Sequence, residues 1–416
     1  MSAPLKLAPL PSFQCYDCVG CGNCCRGIFV IRITAEERDR IRAQGWEDAP
    51  EFQGINLFTP SGDLFLLAHR DDGSCVFLDE RGLCRIHAKF GEPTKPLACR
   101  VYPFKLIPTG DKVRVDLRCD CPSIPANSGR SIGEYRDAVQ EFLPLVVPAD
   151  APDWAPPPLF SHTQLDWSKL ERINDTFLRL IRTESLDLTT RMVACANVAA
   201  ALRTPKITSL GEQPLRELLD TLYTRTVTLM ADDPMVRLAP LAVEGMVFRQ
   251  LVGMYGREDR RGERGMLLRR LRATVRMLGG RGTVPALRRD FPEVPFAALD
   301  APLGFPPDAV VEPMARYLRL RLESMGFFGA GYFGYPYLDG LSVLLLTYPL
   351  TFWFARAFAV EQGLPAPDRA CIEHGIQIVN HYHGMLPVFN LPFERFRFRF
   401  LTERSTLRRL IIWYGR

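Results

Sequence analysis

The cysteines of this chain are concentrated in one segment, and this constrains the fold more than any other feature. Ten of the twelve lie between Cys15 and Cys121, and only Cys195 and Cys371 lie beyond it. The start of the chain has no apolar segment of the kind found in secretory signals. We therefore expect a reducing compartment, the cytoplasm, where clustered thiols more often bind metal than form disulfides.

The spacing of these cysteines is typical of a metal centre. The first group is CYDCVGCGNCC, in which spacings of two residues let backbone turns direct several thiolates at one ion or cluster. Gly20 and Gly22 would allow the tight turns that such a loop needs. Buried structural thiols and a redox-active disulfide pair are the alternatives. The predicted metal ligands are Cys15, Cys18, Cys21, Cys24, Cys25, Cys75, Cys84, Cys99, Cys119 and Cys121.

The identity of the metal is less constrained than its presence. Four thiolates suit a tetrahedral zinc ion or an iron–sulfur cluster, and we favour a cluster of the 4Fe–4S type. Cys24 and Cys25 are adjacent, and successive side chains usually diverge. The sequence therefore predicts either two centres or one centre with spare thiols.

Composition changes after the cysteine-rich segment and predicts an α+β protein. We predict a metal-binding domain of loops and short hairpins over residues 1–143 and a proline-rich linker over residues 144–164. A larger, mainly helical domain is expected over residues 165–416. Hydrophobic residues make up 47% of the chain, so each domain can bury a core.

The cysteine-rich domain shows one clear helix signal and two hairpin signals. Thr34-Ala-Glu-Glu37 is a capping box and predicts a helix that ends near Gly45. A hairpin is expected from 64–69 and 75–78, around Asp71-Asp72-Gly73. A second is expected from 101–107 and 113–117.

Helical periodicity dominates the rest of the chain. Pro214, Pro240 and Pro313 suit the first turn of a helix, where a missing N–H costs nothing. The run 338–359 is long and apolar but is interrupted by charge, which favours a buried helix over a membrane span. Alternation of Phe and Arg over 393–400 predicts a strand. The predicted helices cover 167–182, 214–230, 240–255, 266–278, 313–325, 340–362 and 368–381.

A few histidines offer further candidate sites. His87 follows Cys84 by three residues and could replace a thiol or donate a hydrogen bond beside the centre. His374 and His381 share a helix face with Cys371 and could form a metal or acid–base site. Ordinary surface or core histidines are the alternative, and we favour it.

Several ordered motifs resemble a known family. These are C-x2-C-G-x-C-C at residues 18–25, Cys75-Val-Phe-Leu, Gly82-Leu-Cys84-Arg-Ile-His, and the stretch from Lys95 to Phe104 that contains Cys99. They are similar to the CxxCxxCC cysteine-cluster family, a zinc- or iron-chelating domain that includes the flagellin lysine N-methylases. The resemblance implies protein-lysine methylation with S-adenosylmethionine as the methyl donor and a protein as substrate.

Three functions are compatible with these features. The first is a metal-binding protein of the cysteine-cluster family that acts as a lysine methyltransferase, and no catalytic or donor-binding residue can be assigned from the sequence. The second is a non-enzymatic interaction module held together by its metal, and the third is an iron–sulfur electron-transfer protein. The formal net charge of +5 is small for 416 residues and gives no strong signal for nucleic-acid binding.

Overall fold

A computed structural model describes residues 5–26, 30–258, 266–288, 291–302, 304 and 306–416. The protein is α+β, as predicted: a cysteine-rich region with small sheets precedes a mainly helical region. The domain bounds given above stay a prediction.

Three small sheets support the cysteine-rich region. One has the order β1-β7-β6, with β1 parallel to β7 and β6 antiparallel to it. The others are the pair β2-β8 and the antiparallel sheet β3-β5-β4. The strands are β1 (Lys6–Leu7), β2 (Cys15–Tyr16), β3 (Arg32–Ile33), β4 (Phe58–Ser61), β5 (Leu64–Leu67), β6 (Phe104–Thr109), β7 (Lys112–Leu117) and β8 (Arg130–Ser131).

Short helices separate these strands. The predicted capping box is confirmed, because Thr34 Oγ1 accepts from Glu37 N and Glu37 Oε2 accepts from Thr34 N. The sequence showed a clear signal only for this helix. Most of the others are too short for a periodic pattern, but the helix over Arg136–Val146 has 11 residues and was missed. The helices are α1 (Asn23–Arg26), α2 (Ala35–Arg42), α3 (Arg85–Phe90), α4 (Leu97–Val101), α5 (Ser123–Ala126) and α6 (Arg136–Val146).

One of the two predicted hairpins is confirmed. Strands β6 and β7 form the second, with a turn at Gly110, whose φ is +65°. The first is wrong: β5 pairs with β4 and β3, and Cys75 contributes only an isolated bridge to His69. Strand β4 was missed because it contains Pro60, which has no backbone N–H to donate. An edge strand tolerates proline, because the N–H groups on its outer side have no partner strand.

The rest of the chain is helical, as predicted. Helix α13 starts five residues before Pro313, so that proline lies inside the helix and not in its first turn. Helix α8 was not predicted because it is buried on nearly all sides and lacks an apolar stripe. The helices are α7 (Trp167–Ile181), α8 (Leu188–Ala201), α9 (Glu212–Ala231), α10 (Ala242–Gly256), α11 (Met266–Gly279), α12 (Phe296–Leu299), α13 (Asp308–Ser324), α14 (Tyr337–Glu361), α15 (Arg369–Tyr382), α16 (Pro392–Leu401) and α17 (Arg404–Gly415).

The predicted strand over 393–400 is wrong, because this segment is helix α16. Pro392 occupies the first turn, where its fixed φ suits a helix. The buried residues are Glu394, Phe398 and Leu401, which recur at helical spacing. Phe396 is 71% exposed, so the alternating phenylalanines do not form one buried strand face.

Helix α14 is the central element of the helical region, and it agrees with the predicted buried helix. It is long and apolar enough to cross a membrane, and 94% of its most apolar window is buried inside the protein. Arg356 lies within it and donates to the carbonyls of Tyr414 and Arg416 at the end of α17, at 3.1 and 2.9 Å. Burial lowers the pKa of Arg356 to about 10. The guanidinium satisfies carbonyls that a helix end leaves without partners.

The hydrophobic interior is divided into a small and a large cluster. The small cluster contains Ile33, Trp46, Phe77 and Cys75, and lies under the cysteine-rich loops. The large cluster includes the β6–β7 hairpin together with the buried faces of the long helices. The cysteine-rich segment therefore contributes to both clusters.

Glu244 is a buried carboxylate whose ionised form stabilises the helical region. It accepts from Arg409 Nε at 2.9 Å, Thr406 Oγ1 at 2.7 Å and Leu241 N at 2.8 Å. These bonds, with that to Arg409 the strongest, lower the pKa of Glu244 from 4.5 to about 2. A lowered pKa adds stability that is present above pH 4.5 and is lost as the pH falls towards 2.

We expect Glu244→Gln to reduce the free energy of unfolding at pH 7 by about 1–3 kcal/mol, because it weakens a buried, charge-assisted network. The difference from the parent protein should shrink as the pH falls below 4.5. Urea unfolding at a series of pH values measures both effects. Glu361→Gln, at an exposed position of α14, is the control. Equal stability of Glu244→Gln and the parent protein at pH 7 would contradict the assignment.

Candidate metal centre

The first cysteine group lies on a loop that ends in the short helix α1. Cys18, Cys21 and Cys24 are exposed, and Cys25 is half-buried. Cys25 N donates to Gly22 O at 2.9 Å, which closes the turn that opens α1. Cys18 and Cys21 therefore lie on the loop, and Cys24 and Cys25 lie in α1, where Cys25 packs against the small hydrophobic cluster.

Glycines allow this loop to approach a second segment closely. Gly20 and Gly22 have φ values of +67° and +70°, which only glycine adopts readily. A Cβ on Gly22 would lie 3.0 Å from Gly82 O, and one on Gly20 would lie 2.8 Å from the Leu83 side chain. The close approach brings the loop next to Cys84.

Cys75, Cys84 and Cys99 come from three further segments around this loop. Cys75 is buried, and its N–H donates to Cys25 O at 2.7 Å. Cys84 is the residue before α3, and Cys99 lies within α4. The start of α4 is held to α2, because Leu97 N donates to Glu37 Oε1 at 2.6 Å. The capping residue of α2 therefore also positions the helix that carries Cys99.

Five thiols form one electrostatic neighbourhood. The pKa of Cys75 is raised to about 11. Burial is the largest cause, and the nearby Cys84 and Cys24 thiolates contribute to the rise. Burial also raises the pKa of Cys99, and Cys75, Cys84 and Cys24 add to that rise. The inner thiol group is defined as Cys24, Cys25, Cys75, Cys84 and Cys99.

The adjacent pair Cys24 and Cys25 does not diverge as the sequence led us to expect. Their sulfur atoms lie 3.9 Å apart, within hydrogen-bond reach. The hydrogen bond between them lowers the pKa of Cys24 and raises that of Cys25, so the pair favours one thiolate and one thiol. Lys95 also lowers the pKa of Cys24. One anionic sulfur is thus available within the inner thiol group.

Three other thiols form a separate neighbourhood, the outer thiol group: Cys18, Cys21 and Cys121. Burial raises the pKa of Cys121 to about 11, and Cys21 and Cys18 contribute to the rise. Tyr16 and Tyr102 lie near both groups, since burial and then thiolates of each group raise their pKa values. Tyr16 was not among the predicted site residues, although it directly follows Cys15 in the sequence.

The structure places Cys119 away from both groups. It is buried in the large hydrophobic cluster, where its Sγ donates to Leu117 O at 3.6 Å. Burial raises its pKa to about 12, and its charged neighbours are Arg321 and Asp116. Cys121, two residues later, belongs to the outer thiol group. The Cys-Asp-Cys spacing therefore directs the two thiols to different surroundings.

Cys15 is half-buried in β2, next to the outer thiol group in sequence. Its N–H donates to Asn127 Oδ1 at 2.6 Å, which fixes the backbone there. His87 lies on the exposed side of α3. The ligand roles of Cys15, Cys119 and His87 stay predictions.

The C-terminal histidines make separate contacts. The His374 ring stacks on Phe358 with centroids 4.1 Å apart, and His381 Nδ1 lies 3.7 Å from Asp120 Oδ2. His383 is buried, with Nδ1 3.0 Å from the Tyr255 hydroxyl. Across the described ranges, no group of three or more His, Cys, Asp or Glu side chains is arranged to hold a metal ion.

The chemistry of the inner thiol group fits a soft metal. Burial raises the pKa values of Cys75 and Cys99, and neighbouring thiolates add to the rise because several negative charges would lie close together in a partly buried region. A bound cation would offset this repulsion and displace the protons. Thiolate sulfur is the preferred ligand of zinc and of iron–sulfur clusters. Cys24, Cys25, Cys75, Cys84 and Cys99 therefore stay the predicted ligands, although in the described part of the chain their side chains are not arranged as a metal site.

Comparison with known proteins agrees with this chemistry. Residues 17–122, about a quarter of the chain, match the model of the CxxCxxCC family, whose description is "Putative zinc- or iron-chelating domain". The matched residues contain both thiol groups. Neither the curated proteins nor the solved structures contain a match to this chain. The predicted family is confirmed for the cysteine-rich region.

We expect Cys99→Ser to lower the metal content per chain by at least about half, because it removes one thiolate of a four-ligand site. Cys195→Ser is the control, since its thiol is buried in α8, outside the cysteine-rich segment. Metal analysis of the purified variants gives the result. Equal losses in the two variants would show that the inner thiol group has been assigned incorrectly.

Proposed function

We propose that this protein binds a metal centre through four thiolates of the inner thiol group. The observation that carries the proposal is that thiols from separate segments lie close together, since Cys24 and Cys84 both contribute to the raised pKa values of Cys75 and Cys99. A chain gathers mutually repelling thiolates in a partly buried place when a cation compensates for them. The match of residues 17–122 to a zinc- or iron-chelating domain supports the same conclusion.

An iron–sulfur cluster, of the 4Fe–4S type, is the identity that we propose for the metal. The inner thiol group consists of sulfur ligands alone, since His87 is exposed on α3. Such a ligand set also accepts zinc, which is the alternative. All twelve cysteines are free thiols, which supports a reducing location, the cytoplasm.

The proposed centre would also stabilise the fold of the cysteine-rich region. Its small hydrophobic cluster lies directly under the inner thiol group, and Cys75 belongs to it. A cluster of this size provides little stability by itself, so the cross-link between α1, α3 and α4 would add substantially. In the alternative function, a non-enzymatic interaction module, this stabilisation would be the only role of the metal.

Anaerobic purification followed by metal analysis and a visible absorption spectrum tests the identity. We expect iron with acid-labile sulfide and broad visible absorption. Stoichiometric zinc in a colourless sample would contradict the iron–sulfur assignment and favour the structural module. A reversible redox signal from the iron-containing protein would add electron transfer as its role.

Protein-lysine methylation is the second candidate function. It is supported by the resemblance of the cysteine motifs to a family that includes the flagellin lysine N-methylases. Such an enzyme binds S-adenosylmethionine, with a protein as its second substrate. In this case the metal centre would order the cysteine-rich region, and residues of the helical region would bind the methyl donor.

Equilibrium binding of S-adenosylmethionine to the full, metal-loaded chain tests methylation. We expect saturable binding with a Kd in the range of about 1 µM to 1 mM that is typical of enzyme ligands. Adenosine is the control, because it lacks the methionine part of the donor. Absence of saturation at millimolar donor would contradict the methyltransferase assignment and leave the metal-binding proposal intact.

A further inference from the structure

The helical region contains a cavity of about 580 Å³ that lies apart from the thiol groups. It is open to solvent and is lined by parts of α8, α14, α16 and α17, together with Ser161 and the residues just before α14. No cysteine lines it among the described residues. The volume is within the range of small-molecule sites in proteins.

One part of the cavity wall is apolar. Ala196, Ala199 and Ala200 of α8 and Val343 of α14 contribute small side chains, and Phe398 of α16 adds a ring. The short side chains leave room for a ligand against the helix backbones. An apolar body would be removed from water here and would gain affinity from that burial.

The two carboxylates of the cavity are already engaged. Asp339 pairs with Arg203 at 2.8 Å. Glu403 accepts from Ser405 N at 2.9 Å and Thr406 N at 3.2 Å, and so caps the start of α17. Neither carboxylate is therefore bonded to the other arginines of the cavity.

Three further arginines line the cavity without a carboxylate partner in the described part of the chain. Arg395 donates to Asn390 Oδ1 at 2.7 Å and Arg404 donates to Asn197 Oδ1 at 3.0 Å, so their bonds are to neutral oxygens. The Arg399 guanidinium makes no hydrogen bond within the described ranges. Arg395 and Arg399 are one helical turn apart and lie on the same side of α16. The cavity is therefore lined by four arginines and two carboxylates, which gives it a net positive charge beside an apolar wall.

We propose that this cavity binds an organic phosphate. The phosphate group would be held by Arg395, Arg399 and Arg404, and the apolar body of the ligand would lie against α8. A guanidinium binds phosphate oxygens through two parallel hydrogen bonds, and a dianion satisfies several guanidinium groups at once. This proposal rests neither on the metal centre nor on methyltransferase activity.

Calorimetric titration of the full chain with phenyl phosphate tests the proposal. We expect saturable binding, and we expect Arg399→Gln to raise the Kd by about tenfold or more, because a charge-assisted pair of hydrogen bonds is lost. Arg404→Gln should weaken binding in the same direction. Arg225→Gln is the matched control, since Arg225 is exposed on α9 and far from the cavity in sequence.

Two neutral or singly charged analogues distinguish the ligand class. Phenol should not bind measurably, because it lacks the anionic group, and benzoate should bind more weakly than phenyl phosphate. Benzoate binding as tightly as phenyl phosphate would overturn the phosphate assignment. A Kd for phenyl phosphate that is unchanged in both Arg399→Gln and Arg404→Gln would overturn the site itself.

Discussion

The ion pair between Asp116 and Arg321 joins the cysteine-rich part of the chain to the helical part. Asp116 lies at the end of β7 and Arg321 lies in α13, and both side chains are buried. Arg321 also donates to Asn380 Oδ1 of α15 at 2.6 Å. Removing one partner of a buried pair typically costs about 3–5 kcal/mol, because the other charge is left without compensation. The ion pair therefore fixes how the β6–β7 hairpin packs against the helices. Because Cys119 and Cys121 directly follow β7, this packing also fixes their location.

A second set of contacts strengthens this junction. Arg316 of α13 donates to Ile124 O at 2.9 Å and to Gln14 Oε1 at 2.8 Å. Gln14 precedes the first cysteine, and Ile124 follows the last one of the cysteine-rich segment. Both ends of that segment are thus anchored to one helix, while its middle, with the inner thiol group, rests on a separate small hydrophobic cluster. A metal centre there would stabilise the part of the protein with the fewest buried apolar residues.

The two proposed sites use opposite kinds of charge. The inner thiol group would become strongly negative once deprotonated, and a metal would compensate for that charge, whereas the cavity of the helical region holds four arginines and two carboxylates beside an apolar wall. A metal would offset the repulsion between partly buried thiolates, whereas the exposed arginines of the cavity can exchange water for an anionic ligand. Arg356 and Glu244 are buried charged residues that indicate no ligand, because the protein itself supplies their partners. Arg356 donates to backbone carbonyls, and Glu244 accepts hydrogen bonds from Arg409 and Thr406.

The sequence by itself determined the local features: the cysteine motifs, the capping box at Thr34, the hairpin around Gly110 and most of the long helices. These depend on residues within about ten positions of one another, so periodicity and turn chemistry predict them. Only the tertiary structure decided that Cys121 joins Cys18 and Cys21 while Cys119 faces the core, that β4 replaces the expected return strand, and that α16 is a helix. Each of these outcomes depends on packing between segments distant in the chain, and spacing along a sequence does not determine which distant surfaces meet.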